Sequence, residues 1–582
     1  MAEGNLLLLR PESAFLPPTE VTVEGQFPHE VQLLENFANK VTFSGRSLAH
    51  PIRTAAIASD FSNGRLNNEF YATALLHDVF QAALPETSVN PAVDTRLYTK
   101  NAARLLQEYS ATDYAKEWLP EAGMSRWDYI VSISAHLNTV EEYAERNRQV
   151  PANKSERLKE ILQGHSIGNV DTPLWLEPIA LTEPVTMEEL LGDGENGQEA
   201  ELEAVIIKAA EKLDSLFYPP DNEQSLLRNL HDAESFYAPI CEIIGQDGLA
   251  SALRNQASII RLQKSGHGAF VEKAQEIIAS LGEKEEVLHS VENLLGKLAV
   301  GEVEVDRAFR DTTGHGITLG TAEIEIHGGE HGNSAREARA IWRIKSVGSL
   351  AMKLLGDNKH LKGKSYKEQK QGLQNAVLPA DILGITIVAP NQNDLGRIYA
   401  KAAVDAYDDE ELRLIGTANK SEPYYIKGSE AFVRNMVGAI ALEETNKNPD
   451  GSVKVTRDAI NIPEEEGKME VAKFTIEYDG KPTEVQFVTT EMRLQTRVGL
   501  AAHILYKLKE QLIQCGELPE NAEIPTVTEK EIAAMEAVHD RAIFLGSYTL
   551  MNMNHPRKRA LALRIAQVSA RWYNWRHWSY LD

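Results

Sequence analysis

The stretch "VAKFTIEYDGKPTEVQFVTT", residues 471–490, decides how the second half of the chain is read. Two runs of alternating apolar and polar residues flank Asp479–Gly480. That dipeptide suits the left-handed backbone of a two-residue turn, so the segment predicts a β-hairpin. Alternation puts Glu484 and Gln486 on one face of the second strand. Working outward, "DILGITIVAP" (381–390) reads as a buried strand stopped by a proline, and "GITLGTAEIEIHGGEHG" (316–332) as strand and turn. "REARAIWRIKSVGSLAMKLLG" (336–356) predicts one helix ending at Gly356, and "MRLQTRVGLAAHILYKLKEQL" (492–512) predicts another.

Before Gly301 the texture is different. Residues 1–28 read as an irregular, proline-containing arm. Helical patterning runs from Phe27 to Leu119, again over 125–149, and on to Ala299. The acidic segment 185–203 reads as a surface excursion before the helix "AVIIKAAEKLDSLF" (204–217), which Pro219 and Pro220 stop. The expected class is therefore α+β and multidomain: an all-α half, a mixed α/β half, and a short helical tail after Cys515.

The 582 residues allow two to four domains and a sizeable core, being 43% hydrophobic and 25% charged. A net charge of −25 argues against general binding to nucleic acid or anionic membrane. An anionic ligand must find a locally basic pocket. The two cysteines, Cys241 and Cys515, make no disulfide framework and fit a reducing cytosol. The first residues carry no basic region ahead of an apolar run, and no transmembrane segment is predicted. The expected compartment is the cytoplasm.

Two clusters carry candidate chemistry. His50, then the adjacent His77 and Asp78, with Glu211 or Asp214 further on, supply residue types that hold a divalent metal from several helices. The alternative is a histidine satisfied within a helical core. Between Lys353 and Lys370, "KLLGDNKHLKGKSYKEQK" is a basic stretch in an acidic chain. It suits phosphates, or else it is a solvated lysine-rich loop.

These stretches resemble a known family. "SGRSLAHPIRTAAIAS" (44–59) followed by "YATALLHDV" (71–79) is similar to the HD phosphohydrolase domain of the RelA/SpoT-type alarmone enzymes. The resemblance implies Mn²⁺ on His50, His77 and Asp78, with Glu211 in register with the last ligand. Hydrolase-competent members follow with a Glu-Asp pair, where this chain has Gln81 and Ala82. Neither residue can act as the base, so hydrolysis is expected to be weak or lost.

"RIKSVGSLAMKL" (343–354), "ADILGITIV" (380–388), "TEVQFVTTEM" (483–492) and "GLAAHILYK" (499–507) resemble the family's synthetase domain, of nucleotidyltransferase type. The resemblance implies Arg343, Lys345 and Lys353 on nucleotide phosphates. It implies Asp381 and Glu484 as catalytic Mg²⁺ ligands, with Gln486 beside them. Phe432, in "YYIKGSEAFVRNMVG" (424–438), would replace a guanine-stacking tyrosine. Thr386 and Val488 stand where the family usually has arginine.

The expected organisation is an HD-type domain over 27–240 with an insertion near 150–203, a helical linker over 241–300, a synthetase domain over 301–515 and a helical tail over 516–582. The tail's basic, aromatic end either docks on its own protein or touches RNA. The expected activity is transfer of pyrophosphate from ATP to GDP or GTP, giving (p)ppGpp. The alternatives are a metal-dependent phosphohydrolase and a non-catalytic nucleotide-binding regulator.

Overall fold

A computed structural model of the chain describes residues 49–61, 73–74, 195–243, 246–282, 284–298, 303–305, 318–326, 336–376, 379–415, 423–463, 469–498 and 513–515. The chain divides into two compact units, one holding residues 1–142, 203–229 and 310–318, the other the rest. The helices predicted over 125–149 and after Cys515, and the segment 499–512, lie outside the described residues.

Helix α1 covers Ala49–Phe61 in the first unit, and helix α2 covers Glu195–Phe217, its residues from 203 on belonging to that unit. Helix α2 starts inside the acidic segment expected as an excursion, because only Asn196 and Gly197 interrupt a run of good helix formers. It ends just before Pro219 and Pro220, as predicted. Its buried residues, Ala204 to Ala210 followed by Leu213, Asp214 and Leu216, leave little of this stretch to solvent. Helix α3 follows at Glu223–Asp232.

The second unit combines helices with a mixed sheet. Helices α4 (Ala238–Ile243), α5 (Asp247–Lys264), α6 (Gly268–Ala279) and α7 (Lys284–Leu298) come first. The residues expected as a linker thus pack within the same unit as the sheet. Strands β1 (Val303–Val305), β2 (Thr318–Ile326) and β3 (Arg336–Ile344) lead to helices α8 (Val347–Asp357) and α9 (Tyr366–Gly372). Strand β4 (Leu383–Ala389), helix α10 (Gln392–Asp408), strands β5 (Arg413–Leu414) and β6 (Tyr424–Lys427), and helix α11 (Glu430–Leu442) follow. Strands β7 (Ile460–Asn461), β8 (Val471–Tyr478) and β9 (Lys481–Thr489) precede helix α12 (Thr490–Val498).

The single helix expected over 336–356 is in fact a strand followed by a helix. Ala338, Ala340 and Trp342 are buried, while Arg339 and Arg343 are exposed, which is a period of two. Ser346 takes an extended conformation at the start of α8, where the period changes.

The sheet order is β1-β2-β3-β4-β9-β8-β6-β7, with β5 beside β8. Strands β3 and β4 are antiparallel, β4 and β9 parallel, and β9 and β8 antiparallel. The hairpin is the one predicted: Tyr478 pairs with Lys481, and Asp479 (φ 50°) and Gly480 (φ 69°) both take the left-handed backbone that a primed two-residue turn requires.

The two faces of the sheet differ. One presents Trp342, Ile385, Ile387, Val485, Phe487, Phe474 and Ile476 to the main core. Helices α7, α10 and α11 cover it through Leu294, Leu298, Ile398, Tyr399, Met436 and Ile440. The Tyr399 ring stands edge-on to Phe487, with centroids 5.1 Å apart. Each such side chain contributes about 1.5–3 kcal/mol by leaving water. The opposite face has an apolar end, where Met492 of α12 sits among Val388, Val471 and Val488. Its other end is polar, carrying Arg343, Thr386, Glu484 and Gln486. No helix among the described residues is long and apolar enough to cross a membrane.

Candidate functional site

The polar end of that face is built by strand register. Arg343 of β3 lies opposite Gly384 of β4, which lies opposite Glu484 of β9. One row along, Ile341, Thr386, Gln486, Lys473 and Tyr425 are paired in turn across β3, β4, β9, β8 and β6. Paired residues share a face, so Arg343, Glu484, Gln486 and Lys473 converge. The β3–β4 ladder continues past the strand end, where Lys345 N donates to Ile382 O at 2.7 Å. That bond sets Lys345 beside Asp381.

The result is a small cleft of about 40 Å³ lined by Arg343, Lys345, Asp381, Thr386, Glu484 and Gln486, floored by Gly384 and Ile385. At one end Asp381 accepts from Lys345 Nζ at 2.5 Å and from Lys353 Nζ of α8 at 2.6 Å. At the other, Glu484 accepts from Lys473 Nζ at 2.7 Å and from Gln486 Nε2 at 2.5 Å. Burial acts to raise the Asp381 carboxyl, but the charges of Lys345 and Lys353 and the bonds they donate outweigh it and hold it well below the usual carboxylate range. Burial pushes the Lys345 ammonium down to about 8, against the attraction of Asp381.

Helix α8, which carries Lys353, is held from below. Gly348 N donates to Asn255 Oδ1 of α5 at 2.7 Å, and the helix's own leading Ser346 makes no side-chain capping bond. The approach is so close that a Cβ on Gly348 would lie 2.5 Å from the Asn255 carbonyl oxygen. Glu272 of α6 accepts from Lys370 of α9 at 3.0 Å and also from Tyr366 of α9.

The structure therefore gathers Arg343, Lys345, Lys353, Asp381, Glu484 and Gln486 around one cleft. Phe432 is not among them. It is fully buried in the main core, on the third residue of α11, and packs against Gly428. The reading of Phe432 as a base-stacking platform is corrected: its ring faces the hydrophobic interior, because the segment after Ser429 is an amphipathic helix rather than a loop. Val488 belongs to the apolar strip under Met492, and Thr386 stands opposite Gln486. The residue missed in the sequence is Lys473. Its signal lay in the hairpin: counting back from the Asp479–Gly480 turn places Lys473 opposite Gln486.

The chemistry of the cleft's donor set fits Mg²⁺, which takes oxygen ligands from one or two carboxylates together with substrate phosphates. Asp381 and Glu484 would hold it.

The first unit holds a second carboxylate cluster. Asp214, 1% exposed, accepts from Arg53 Nε at 2.6 Å through Oδ1 and from Arg53 Nη2 at 3.1 Å through Oδ2. His50 Nδ1 lies 2.6 Å from the same Oδ2. The Arg53 guanidinium stacks on the Tyr218 ring, 3.7 Å from its centroid. Glu211 accepts from Lys208 at 2.7 Å. The structure thus brings Asp214 to His50, and Glu211 leaves α2 at a different angle. His77 and Asp78 lie outside the described residues, as do Gln81 and Ala82. The described residues of the expected Mn²⁺ site are His50, Glu211 and Asp214, and both oxygens of Asp214 are engaged by protein donors.

Scanned against protein-family models the chain matches none, and a search of curated proteins finds no relative.

Proposed function

We propose that the cleft binds a nucleoside polyphosphate with Mg²⁺ and transfers pyrophosphate from ATP to the 3′-hydroxyl of GDP or GTP. One observation carries this reading: Arg343, Lys345 and Lys353 meet the carboxylates Asp381 and Glu484 in a single cleft of a chain whose net charge is −25. Phosphate chains require cations, and phosphoryl transfer is mostly positioning and charge stabilisation. Arg343 provides a planar fork for phosphate oxygens, while Lys345 and Lys353 provide mobile point charges. Gln486 fixes the Glu484 carboxylate by its 2.5 Å bond. Bound Mg²⁺ would offset the charge that builds on the phosphoryl oxygens. The nucleotide 3′-oxygen bonds to the β-phosphorus, the bond bridging the α- and β-phosphates breaks, AMP leaves, and the hydroxyl proton is lost to solvent.

The direct test incubates the purified chain with Mg²⁺, ATP and radiolabelled GDP and separates the nucleotides. A guanosine tetraphosphate is expected, and it should vanish in Asp381→Asn and Glu484→Gln while the fold persists. Undiminished product in those variants would refute their roles. A second reading, a non-catalytic nucleotide sensor, draws on the lysines that cap both carboxylates, and tight (p)ppGpp binding without turnover would favour it.

A further inference from the structure

Resting on the polyphosphate reading of the cleft, we infer that its own lysines latch it against a divalent cation, so that the cation enters only together with a polyphosphate. All four carboxylate oxygens are engaged. Lys345 and Lys353 take the two oxygens of Asp381, and Gln486 and Lys473 take the two of Glu484. A cation arriving alone must displace an ammonium from oxygens it needs as ligands, and it enters a cluster where four basic side chains already face two acids. Both steps are unfavourable.

A polyphosphate changes the balance. Its oxygens offer the lysines new partners, and Lys353 (32% exposed) and Lys473 (23%) sit on long, flexible stems with room to turn. As each ammonium swings to phosphate, a carboxylate oxygen is released for the cation the phosphates carry. The lysines are thus exchangeable counter-ions that report whether the anion is present. Because coupling between two ligands is reciprocal, the cation must tighten the nucleotide by the same factor as the nucleotide tightens the cation.

The experiment uses Mn²⁺ as a spectroscopic stand-in for Mg²⁺, followed by electron paramagnetic resonance on the full chain. The nucleotide is an ATP analogue with a methylene bridge between its α- and β-phosphates. Mn²⁺ alone is expected to bind the wild-type chain about 5–150-fold more weakly than it binds the chain saturated with analogue, the usual span of such couplings. Lys353→Gln should bind Mn²⁺ alone more tightly than wild type. Lys353→Arg, which keeps the charge, should still exclude it and serves as the folded control. Equal Mn²⁺ affinity with and without analogue, or no gain in Lys353→Gln, would overturn the latch while leaving nucleotide binding intact. Analogue that binds neither with nor without Mn²⁺ would overturn the polyphosphate reading, and the latch with it.

Discussion

Asp214 in the first unit and Asp381 in the second each accept bonds from two basic side chains, yet the donors are of different kinds. Asp214 is 1% exposed and faces a planar guanidinium that grips both its oxygens and is itself clamped on Tyr218. Asp381 is 23% exposed and faces two ammonium groups on independent stems, one from the end of a strand and one from a helix. A fork that grips both oxygens of a buried carboxylate is held in one geometry, whereas an ammonium on a flexible stem exchanges one oxygen for another at little cost. The same ion-pair chemistry gives a structural rivet in one place and, under the latch proposed above, a ligand-responsive contact in the other.

The comparison is broken most forcefully at Arg53. Arg53→Ala leaves a buried carboxylate without its main counter-charge and should destabilise the first unit by about 3–5 kcal/mol, read by urea unfolding. Arg53→Lys should recover only part of that, lacking the fork. A loss below about 1 kcal/mol would show that Asp214 behaves as a surface pair does. Next comes the support under the cleft. Gly348→Ala forces a Cβ against the Asn255 carbonyl, and overpacking of this sort costs about 1–3 kcal/mol. It should also weaken polyphosphate binding, since α8 carries Lys353. Unchanged melting and unchanged binding would mean that α8 shifts freely.

Smaller in stability, though not in binding, is Lys353→Gln. Exposed pairs contribute about 0–1 kcal/mol, so unfolding should barely move, while polyphosphate affinity falls at least about tenfold, as loss of a charge-assisted bond implies. Calorimetry with the analogue decides it. The smallest effect is expected at Thr475, paired with Glu484 across the hairpin, whose buried hydroxyl finds no hydrogen-bond partner among the described residues. Thr475→Val should be neutral to about 1 kcal/mol stabilising. A clear destabilisation would show that the hydroxyl is used.

Much of the second unit was legible from local pattern. The Asp479–Gly480 turn and its alternating arms specify the hairpin, and "DILGITIV" announces its strand. The segment 336–356 misled because Ala and Arg are good helix formers, and its burial period of two is carried by Ala338 and Ala340, which propensity assigns to helix. Partnership in the sheet overrode propensity there. The cleft was legible as a set of residues but not as a geometry. Lys473 gains its role only through cross-strand pairing, and Phe432 loses its role only once Ser429 is seen to open a core-facing helix. In the first unit, the choice between Glu211 and Asp214 depended on helix rotation, which a motif register does not encode.

The parallel pairing of β4 with β9 has a consequence for how the molecule is made. The strands adjacent in the sheet are far apart in the chain, and α10, α11 and four strands are synthesised between them. A ribosome working from the N-terminus releases Lys345, Lys353 and Asp381 well before Glu484. Until β9 emerges and inserts, β4 keeps one edge unpaired, the kind of edge that invites wrong partners. The hairpin can form locally and quickly, so β8 and β9 can arrive as a prefabricated insert that closes the sheet and completes the cleft in one late event.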